Sequence, residues 1–173
     1  LRFPAPALTG KRSADLVIGQ PDMSSGSDPA GPGAGVTYFV QDVVVGKGGE
    51  VWVADGYNRV LRFPSPATGA VADLVLGQAG FEFGAANRGG ATGADGFDSV
   101  HALEMDGQGR LWCSDAGNRR VVGYEPPFVT GMAATLLMGQ VDFVSSVSPA
   151  PPTAGVLSRT TGLAVDGEGD VYV

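Results

Sequence analysis

The 173 residues are enough for one globular domain, and their composition excludes several classes of protein. Hydrophobic residues make up 43% of the chain, and no apolar run approaches the roughly 18 residues of a membrane helix. The formal net charge is −7 and only two residues are lysines, whereas a nucleic-acid-binding chain normally has a basic face. We therefore expect neither a nucleic-acid partner nor membrane insertion.

The abundance of residues that favour turns indicates an all-β fold. The chain contains 28 glycines and 12 prolines, and no window combines helical periodicity with helix caps. The single cysteine, Cys113, cannot form an internal disulfide and so gives no indication of the compartment. Because Cys113 falls in a predicted strand, we expect it to pack as a small apolar residue.

Three phrases recur in register with a period of about 60 residues, which indicates a propeller or solenoid array. A strand that ends in Gly-Gln occurs at residues 14–20, 72–78 and 134–140. A strand, a glycine turn and a second strand begin at Val43, Leu103 and Leu163. A further strand begins at Leu1, Leu61 and Val121. Since residue 1 falls inside a repeat, we expect the sequence to be part of a longer polypeptide.

Each repeat therefore contains four short strands, a to d. Strand a is predicted at residues 42–45, 102–105 and 162–165, and strand b at residues 50–54, 110–114 and 170–173. Strand c is predicted at residues 59–63 and 121–124, with 1–3 as a truncated counterpart, and strand d is the Gly-Gln phrase. Glycine-rich turns join a to b, as tight hairpins require.

Four antiparallel strands repeated around an axis describe a β-propeller. The twelve predicted strands make three blade equivalents in one partial domain, 1–173, divided at about 1–39 (incomplete), 40–98, 99–158 and 159–173 (incomplete). Propeller rings have about 4 to 8 blades, so three cannot close. We expect the remaining blades of the parent chain, or else another copy, to complete the ring, and we favour the parent chain.

The phrases VWVADGYNRVLRF (51–63) and GLAVDGEGDVYV (162–173) resemble the repeat of NHL-repeat proteins. That repeat runs Gly-apolar-Ala-Val-Asp, a glycine turn, Val-Tyr-Val-Ala-Asp, Asn-Arg and an aliphatic-aromatic strand. The Gly-Gln phrases and long loops look like a bacterial subset. The resemblance implies a six-bladed propeller, of which this chain is half, and an extracellular or cell-surface location. The family includes binding proteins and some enzymes, so the resemblance indicates fold more than function.

The phrase ADGYNR (54–59) is also similar, more distantly, to peptidyl-hydroxyglycine amidating lyases, which are zinc propellers. In that family a tyrosine and an arginine act on the substrate and histidines bind zinc. Tyr57 matches the tyrosine, but His101 is the one histidine of the sequence. The alternative function is thus a lyase or hydrolase whose central-channel site is completed by blades outside this chain.

Polar residues that recur in every repeat are predicted to be structural, because each unit needs them. Asp and Asn accept backbone N–H bonds in turns, and Arg reaches carboxylates and carbonyls. These recurring residues are Asp55, Asn58, Arg59, Asp115, Asn118, Arg119, Gln20, Gln78 and Gln140.

Residues that break the repeat are the better candidates for a site. Glu104 aligns with Val44 and Ala164 in strand a, normally the innermost strand of a propeller blade, and His101 lies just before it. The two are three residues apart, hence on opposite faces of an ideal strand unless a bend intervenes. They are hypothesised to contact a ligand, a metal or channel water; alternatively, Glu104 faces the channel in water and His101 lies on the surface. The sequence alone has no metal-ligand spacing, so we predict no metal and no cofactor.

Loops of about 20 residues follow each Gly-Gln phrase, at 21–41, 79–101 and 141–161, and loops this long are usually functional or disordered. Their large or charged residues are Tyr38, Phe39, Phe81, Phe83, Arg88, Phe97, Phe143 and Arg159. We predict a non-enzymatic recognition or scaffold module that binds a protein or glycan through this face, with Tyr38, Tyr57, Phe83 and Arg88 as candidate contacts. Alternatively, Phe81, Phe83 and Phe143 tuck under their own loops.

Overall fold

The computed structural model describes residues 1–4, 13–26, 28–148, 151 and 153–173. These residues form two four-stranded antiparallel sheets, a two-stranded antiparallel sheet and one short 3-10 segment, Ala86–Gly89. The first sheet contains β1 (Asp42–Val45), β2 (Val51–Asp55), β3 (Arg59–Phe63) and β4 (Leu74–Leu76). The second contains β5 (Val100–Met105), β6 (Leu111–Asp115), β7 (Arg120–Tyr124) and β8 (Leu136–Met138), and the third β9 (Ala164–Val165) and β10 (Val171–Tyr172).

The strands follow one another in chain order within each sheet, which confirms the all-β prediction of antiparallel four-stranded units. β1 and β3 have the predicted bounds, and the other strands begin or end within two residues of theirs. The predicted strands at 1–3 and 14–20 are represented by one isolated bridge, Arg2 to Leu16. The predicted unit 1–39 includes residues outside the described part of the chain, as do the loops 21–41 and 141–161.

The first and second sheets share a hydrophobic core, because alternate side chains of a strand point to opposite faces. Trp52 and Leu76 of the first sheet pack in one cluster with Cys113 and Tyr124 of the second. β5 lies against β1 and β2, and β9 lies against β5. On the other face of the first sheet, Val53 belongs to a separate cluster. The first two sheets therefore pack face to face, and β5 has β1 on one side and β9 on the other.

The glycine of each Gly-Gln phrase allows the following loop to pack closely. Gly19, Gly77 and Gly139 have φ values of 86°, 80° and 83°. A Cβ on Gly77 would lie 2.1 Å from the ring of Phe97, a fully buried residue of the next loop. The equivalent distances are 2.0 Å to Thr37 for Gly19 and 2.4 Å to Leu157 for Gly139. The phrase thus combines a left-handed backbone with space for a loop side chain.

We predict that Gly77→Ala destabilises the protein more than Gly109→Ala does. Both glycines have φ near +80°, but a Cβ on Gly109, in the β5–β6 turn, meets nothing within 4 Å. Gly109→Ala should therefore cost only about 1–2 kcal/mol of backbone strain. Gly77→Ala should cost about 1–3 kcal/mol more, because Phe97 must move. Urea unfolding measures both; equal losses would show that the contact with Phe97 is unimportant.

Candidate functional site

A buried ion pair anchors the turn between β2 and β3. Asp55 and Arg59 side chains are both fully buried, and Arg59 Nε and Nη2 donate to the Asp55 carboxylate at 3.2 and 3.0 Å. Arg59 Nη1 also donates to the carbonyl of Phe81 at 2.5 Å, and Nη2 to that of Val36 at 2.9 Å. Those carbonyls belong to the long loops after and before the first sheet. One guanidinium therefore holds a turn and two loops.

The second sheet repeats this arrangement with Asp115 and Arg120, whose side chains are also fully buried. Arg120 Nε donates to Asp115 Oδ2 at 2.8 Å. Its Nη1 donates to the carbonyl of Phe143 at 2.6 Å, and its Nη2 to those of Gly93 and Gly96 at 2.8 and 3.0 Å. Burial raises the pKa of the Asp55 and Asp115 carboxyls, although the paired guanidinium opposes that change in each case.

The counterpart of Arg59 is thus Arg120, and the predicted equivalence of Arg59 with Arg119 was wrong by one residue. The reason is the length of the turn, which covers residues 56–58 in the first sheet and 116–119 in the second. Arg119 instead takes the left-handed backbone position of Asn58, with φ 56° against 53°. The Arg119 guanidinium donates to the carbonyl of Ser146 at 2.8 Å.

The two turn asparagines make different contacts within the scaffold. Asn58 Nδ2 donates to the carbonyl of Gly84 at 3.0 Å, and its Oδ1 accepts from the backbone N–H of Ser99 at 2.8 Å. Asn58 therefore joins its turn to the second sheet. Asn118 Nδ2 donates to Asp115 Oδ2 at 2.8 Å, so it supports the buried carboxylate.

The glutamines of the second and third Gly-Gln phrases brace the turns against the loops. Gln78 and Gln140 are buried, and each amide donates both to a turn carbonyl and to a loop carbonyl. The acceptors are Asn58 and Ala85 for Gln78, and Arg119 and Val147 for Gln140. Gln20 is only half-buried and donates to the carbonyl of Asp22. All of these glutamine contacts are made within the fold, so we assign the glutamines a structural role.

Four aromatic residues form a surface over the first turn, here called the aromatic patch: the exposed Tyr38, Phe39 and Phe83 and the half-buried Tyr57. The rings of Tyr38 and Tyr57 lie 5.2 Å apart at 34°, and those of Tyr38 and Phe39 lie 6.2 Å apart. A Cβ on Gly84 would be 2.9 Å from Tyr57, so the loop that carries Phe83 lies against that ring. Phe39 is 73% exposed and Phe83 56%.

The backbone at Phe39 is strained, and the same position recurs in the second sheet. Phe39 has φ 49° and Ser99 has φ 58°, a region that a bulky residue rarely adopts. In both cases a glycine of the β2–β3 or β6–β7 turn donates its N–H to the carbonyl of the residue just before the strained one. Gly56 donates to Tyr38 and Gly117 donates to Asp98, each at 2.7 Å. Strain of this kind costs about 1–3 kcal/mol and is concentrated at functional sites.

Other loop residues named from the sequence serve the scaffold. Arg88 pairs with Asp95 at 2.5 Å and donates to the carbonyl of Gly131 at 2.8 Å, so both of its terminal nitrogens are occupied within the fold. Phe81 and Phe143 are half-buried and pack on the two cores, as the alternative interpretation of the loops predicted. Of the three phenylalanines in that interpretation, Phe83 is the exposed one.

A shallow polar pocket of about 300 Å³ lies beside the second turn. We call it the serine–arginine pocket; it is lined by Ser99, Ala116, Gly117, Arg119, Ser158 and Arg159. Sequence reasoning included Arg159 among the loop residues but did not assemble this group. The available signal was that positions 39, 99 and 159 align, one period apart, and differ in chemistry.

His101 and Glu104 both lie on β5, the strand between β1 and β9. The register of β5 against β6 shifts between Val100 and Leu103, which indicates a β-bulge there. Such a bulge is the kind of bend that would be needed to bring the His101 and Glu104 side chains to one face. Both side chains are half-buried. Burial and the neighbouring Asp42 carboxylate raise the pKa of Glu104.

Cys113 lies in the core between the first and second sheets. It is fully buried and belongs to the same cluster as Trp52 and Tyr124. Burial raises the pKa of the Cys113 thiol well above its ordinary value. The thiol therefore stays protonated and shielded from reagents in the folded protein.

Comparisons with protein-family models and with curated proteins found no match. Among the described residues, no group of three or more His, Cys, Asp or Glu side chains is placed to hold a metal ion. The described part of the chain also contains no helix of the length and apolarity that a membrane span requires. The class that the structure defines is an all-β protein of four-stranded antiparallel sheets.

We predict that Arg120→Gln destabilises the fold far more than Arg119→Gln. Loss of Arg120 leaves the buried Asp115 carboxylate without its cation and frees two loops, which should cost about 3–5 kcal/mol. Arg119→Gln removes one hydrogen bond and should cost below about 1.5 kcal/mol. Chemical denaturation near neutral pH measures the difference. A larger loss of stability in Arg119→Gln would show that Arg119, as predicted from the sequence, is the counterpart of Arg59.

We predict that Glu104→Gln stabilises the protein near pH 7 but not near pH 4. Because the pKa of Glu104 is raised above 4.5 in the folded state, folded protein binds this proton more tightly than unfolded protein does. The stability from Glu104 is thus present at low pH and lost as the pH rises through the folded-state pKa. Thermal unfolding at both pH values tests this, with the exposed Glu82→Gln as control. A gain of equal size at both pH values would contradict it.

Proposed function

We propose that this chain is part of an NHL-type β-propeller that acts as a recognition or scaffold module. It binds a protein or glycan partner through the face formed by the long loops and the turns at 56–58 and 116–119. The observation that carries the proposal is the aromatic patch. Three of its four aromatic residues are exposed, yet they stand on a turn and loops that the buried Arg59 holds in place. Rigid exposed aromatic rings are the residues that dominate recognition surfaces.

The arrangement of the sheets supports the propeller. Two successive sheets pack face to face, and β5 lies between β1 and β9, as innermost strands around an axis do. The repeated roles of Arg59 and Arg120 further support equivalent blades at about 40–98 and 99–158. We propose six blades in the complete ring, a secreted or cell-surface location and a bacterial origin on the strength of the motif resemblance alone.

An apolar cavity supports the proposal that further blades cover the first sheet. This cavity, of about 510 Å³, is lined in part by Val43, Val45, Val51 and Val53. Val43 is 51% exposed, whereas Leu103, its counterpart in the second sheet, is 3% exposed beneath the first sheet. A preceding unit would cover the valines in the same way. We favour the parent chain as its source over another copy.

A second candidate function is a lyase or hydrolase with its site at the central channel. Glu104 on the innermost strand supports it, because burial and Asp42 raise its pKa as expected of a general acid or base. This site would need groups from other blades. The aromatic patch is the more complete of the two sites, and recognition is therefore our first proposal.

We predict that Phe39→Gly weakens partner binding while leaving the fold as stable or more stable. Glycine relieves the left-handed backbone at residue 39, and little packing is lost because the ring is 73% exposed. Ligands would be selected from oligosaccharide and peptide arrays with the wild-type chain. Affinity for a selected ligand should then fall about tenfold or more in Phe39→Gly and in Phe83→Ala.

The matched control is Val71→Ala, an exposed apolar residue between β3 and β4 that is 63% exposed. It should leave the affinity unchanged, and urea unfolding should show the stability of all three variants. If Phe39→Gly and Phe83→Ala bind every selected ligand as the wild type does, the aromatic patch is not the recognition surface.

A further inference from the structure

The serine–arginine pocket adjoins the aromatic patch. Ser99, which lines the pocket, donates its backbone N–H to Asn58 Oδ1 at 2.8 Å. Asn58 follows Tyr57 of the patch directly in the chain. One hydrogen bond therefore joins the pocket to the turn that carries Tyr57 of the aromatic patch.

The lining of the pocket selects for a polar, negatively charged group. It offers two guanidinium groups, from Arg119 and Arg159, and two serine hydroxyls, with only Ala116 and Gly117 as apolar surface. Such a lining has no place for the large apolar side chain that usually anchors a protein partner. Guanidinium groups bind carboxylates through charge-assisted hydrogen bonds, and serine hydroxyls suit the hydroxyls of a sugar. Its volume of about 300 Å³ is at the small end of ligand sites.

We propose that this pocket binds the carboxylate of an acidic sugar, while the aromatic patch contacts the neighbouring sugar units of the same oligosaccharide. The inference rests on the proposed recognition function of the loop face and names its ligand class. Phe39 and Phe83, which are 73% and 56% exposed, offer ring surface to the C–H groups of a pyranose. Arg159, which is exposed, supplies the cation that is free to turn toward the ligand.

The charges around the pocket favour a single carboxylate over a polyanion. The Asp98 carboxylate lies against Gly117, where a Cβ would be 2.4 Å from its carbon, so it offsets part of the charge of the two arginines. The chain as a whole has a net charge of −7. A densely charged polymer would be repelled by that field, whereas one uronic acid meets a locally positive site.

Isothermal titration of the full chain with glucuronosyl-xylobiose, a trisaccharide with one carboxylate, its methyl ester and monomeric glucuronate tests the proposal. The acidic trisaccharide should bind, the ester about tenfold or more weakly, and the monomer more weakly than the trisaccharide because it lacks the aromatic contacts. Arg159→Gln should lower the affinity for the acidic trisaccharide to that of the ester. Lys47→Gln, which removes a cation from the β1–β2 turn at the opposite end of those strands, should leave it unchanged.

Amide chemical shifts of isotope-labelled protein locate the binding, and they should change at Ser99 and Gly117. Equal binding of acid and ester, an unaltered Arg159→Gln variant, shifts confined to other residues, or no saturable binding would each overturn the inference. The proposed recognition function has a separate readout. If a ligand selected from the arrays still loses affinity in Phe39→Gly, that function stands even though the acidic sugar is the wrong ligand.

Discussion

The buried ion pairs Asp55–Arg59 and Asp115–Arg120 are the interactions on which the rest of this structure depends. In each pair, some nitrogens of the guanidinium donate to the carboxylate and others donate to carbonyls of the long loops. Buried charges are costly unless all of their hydrogen bonds are made, so turn and loops must be in place together. Local sheet structure and distant loop structure are thereby stabilised by one side chain in each repeat.

These ion pairs explain how the loop 79–101 keeps a defined course with one short 3-10 segment. Several of its carbonyls accept hydrogen bonds from Asn58, Arg59 and Arg120. The left-handed glycine before each glutamine leaves room for a loop side chain. Residues that point outward from the turns and loops take no part in these contacts and can therefore differ between the two sheets. Phe39 and Ser99 occupy the same left-handed position in successive sheets, yet one presents an aromatic ring and the other a hydroxyl.

Local order was predictable from the residues because strand partners are neighbours in the chain. The bounds of β1 and β3 and the turn glycines Gly49 and Gly109, both at positive φ, followed from pattern alone. The role of Arg120 as the partner of Asp115 was missed, because the turn 116–119 has one residue more than the turn 56–58 and the motif looks the same in both. Arg88 was taken for a contact residue because its pairing with Asp95 and Gly131 depends on loop packing that no pattern shows.

By itself, the sequence determined the all-β class, the strand order within each four-stranded sheet and the hairpin turns, since these depend on hydrogen bonds between adjacent segments. Only the tertiary structure decided which aromatic rings are exposed, which arginine neutralises Asp115, and that Ser99 and Arg159 line one pocket. The exposure of the rings and the lining of the pocket depend on contacts between residues more than twenty positions apart, and the position of Arg120 depends both on the longer turn and on its contact with Phe143. Side-chain packing and the cost of burying an unpaired charge decide these outcomes, and neither can be read from a local sequence pattern.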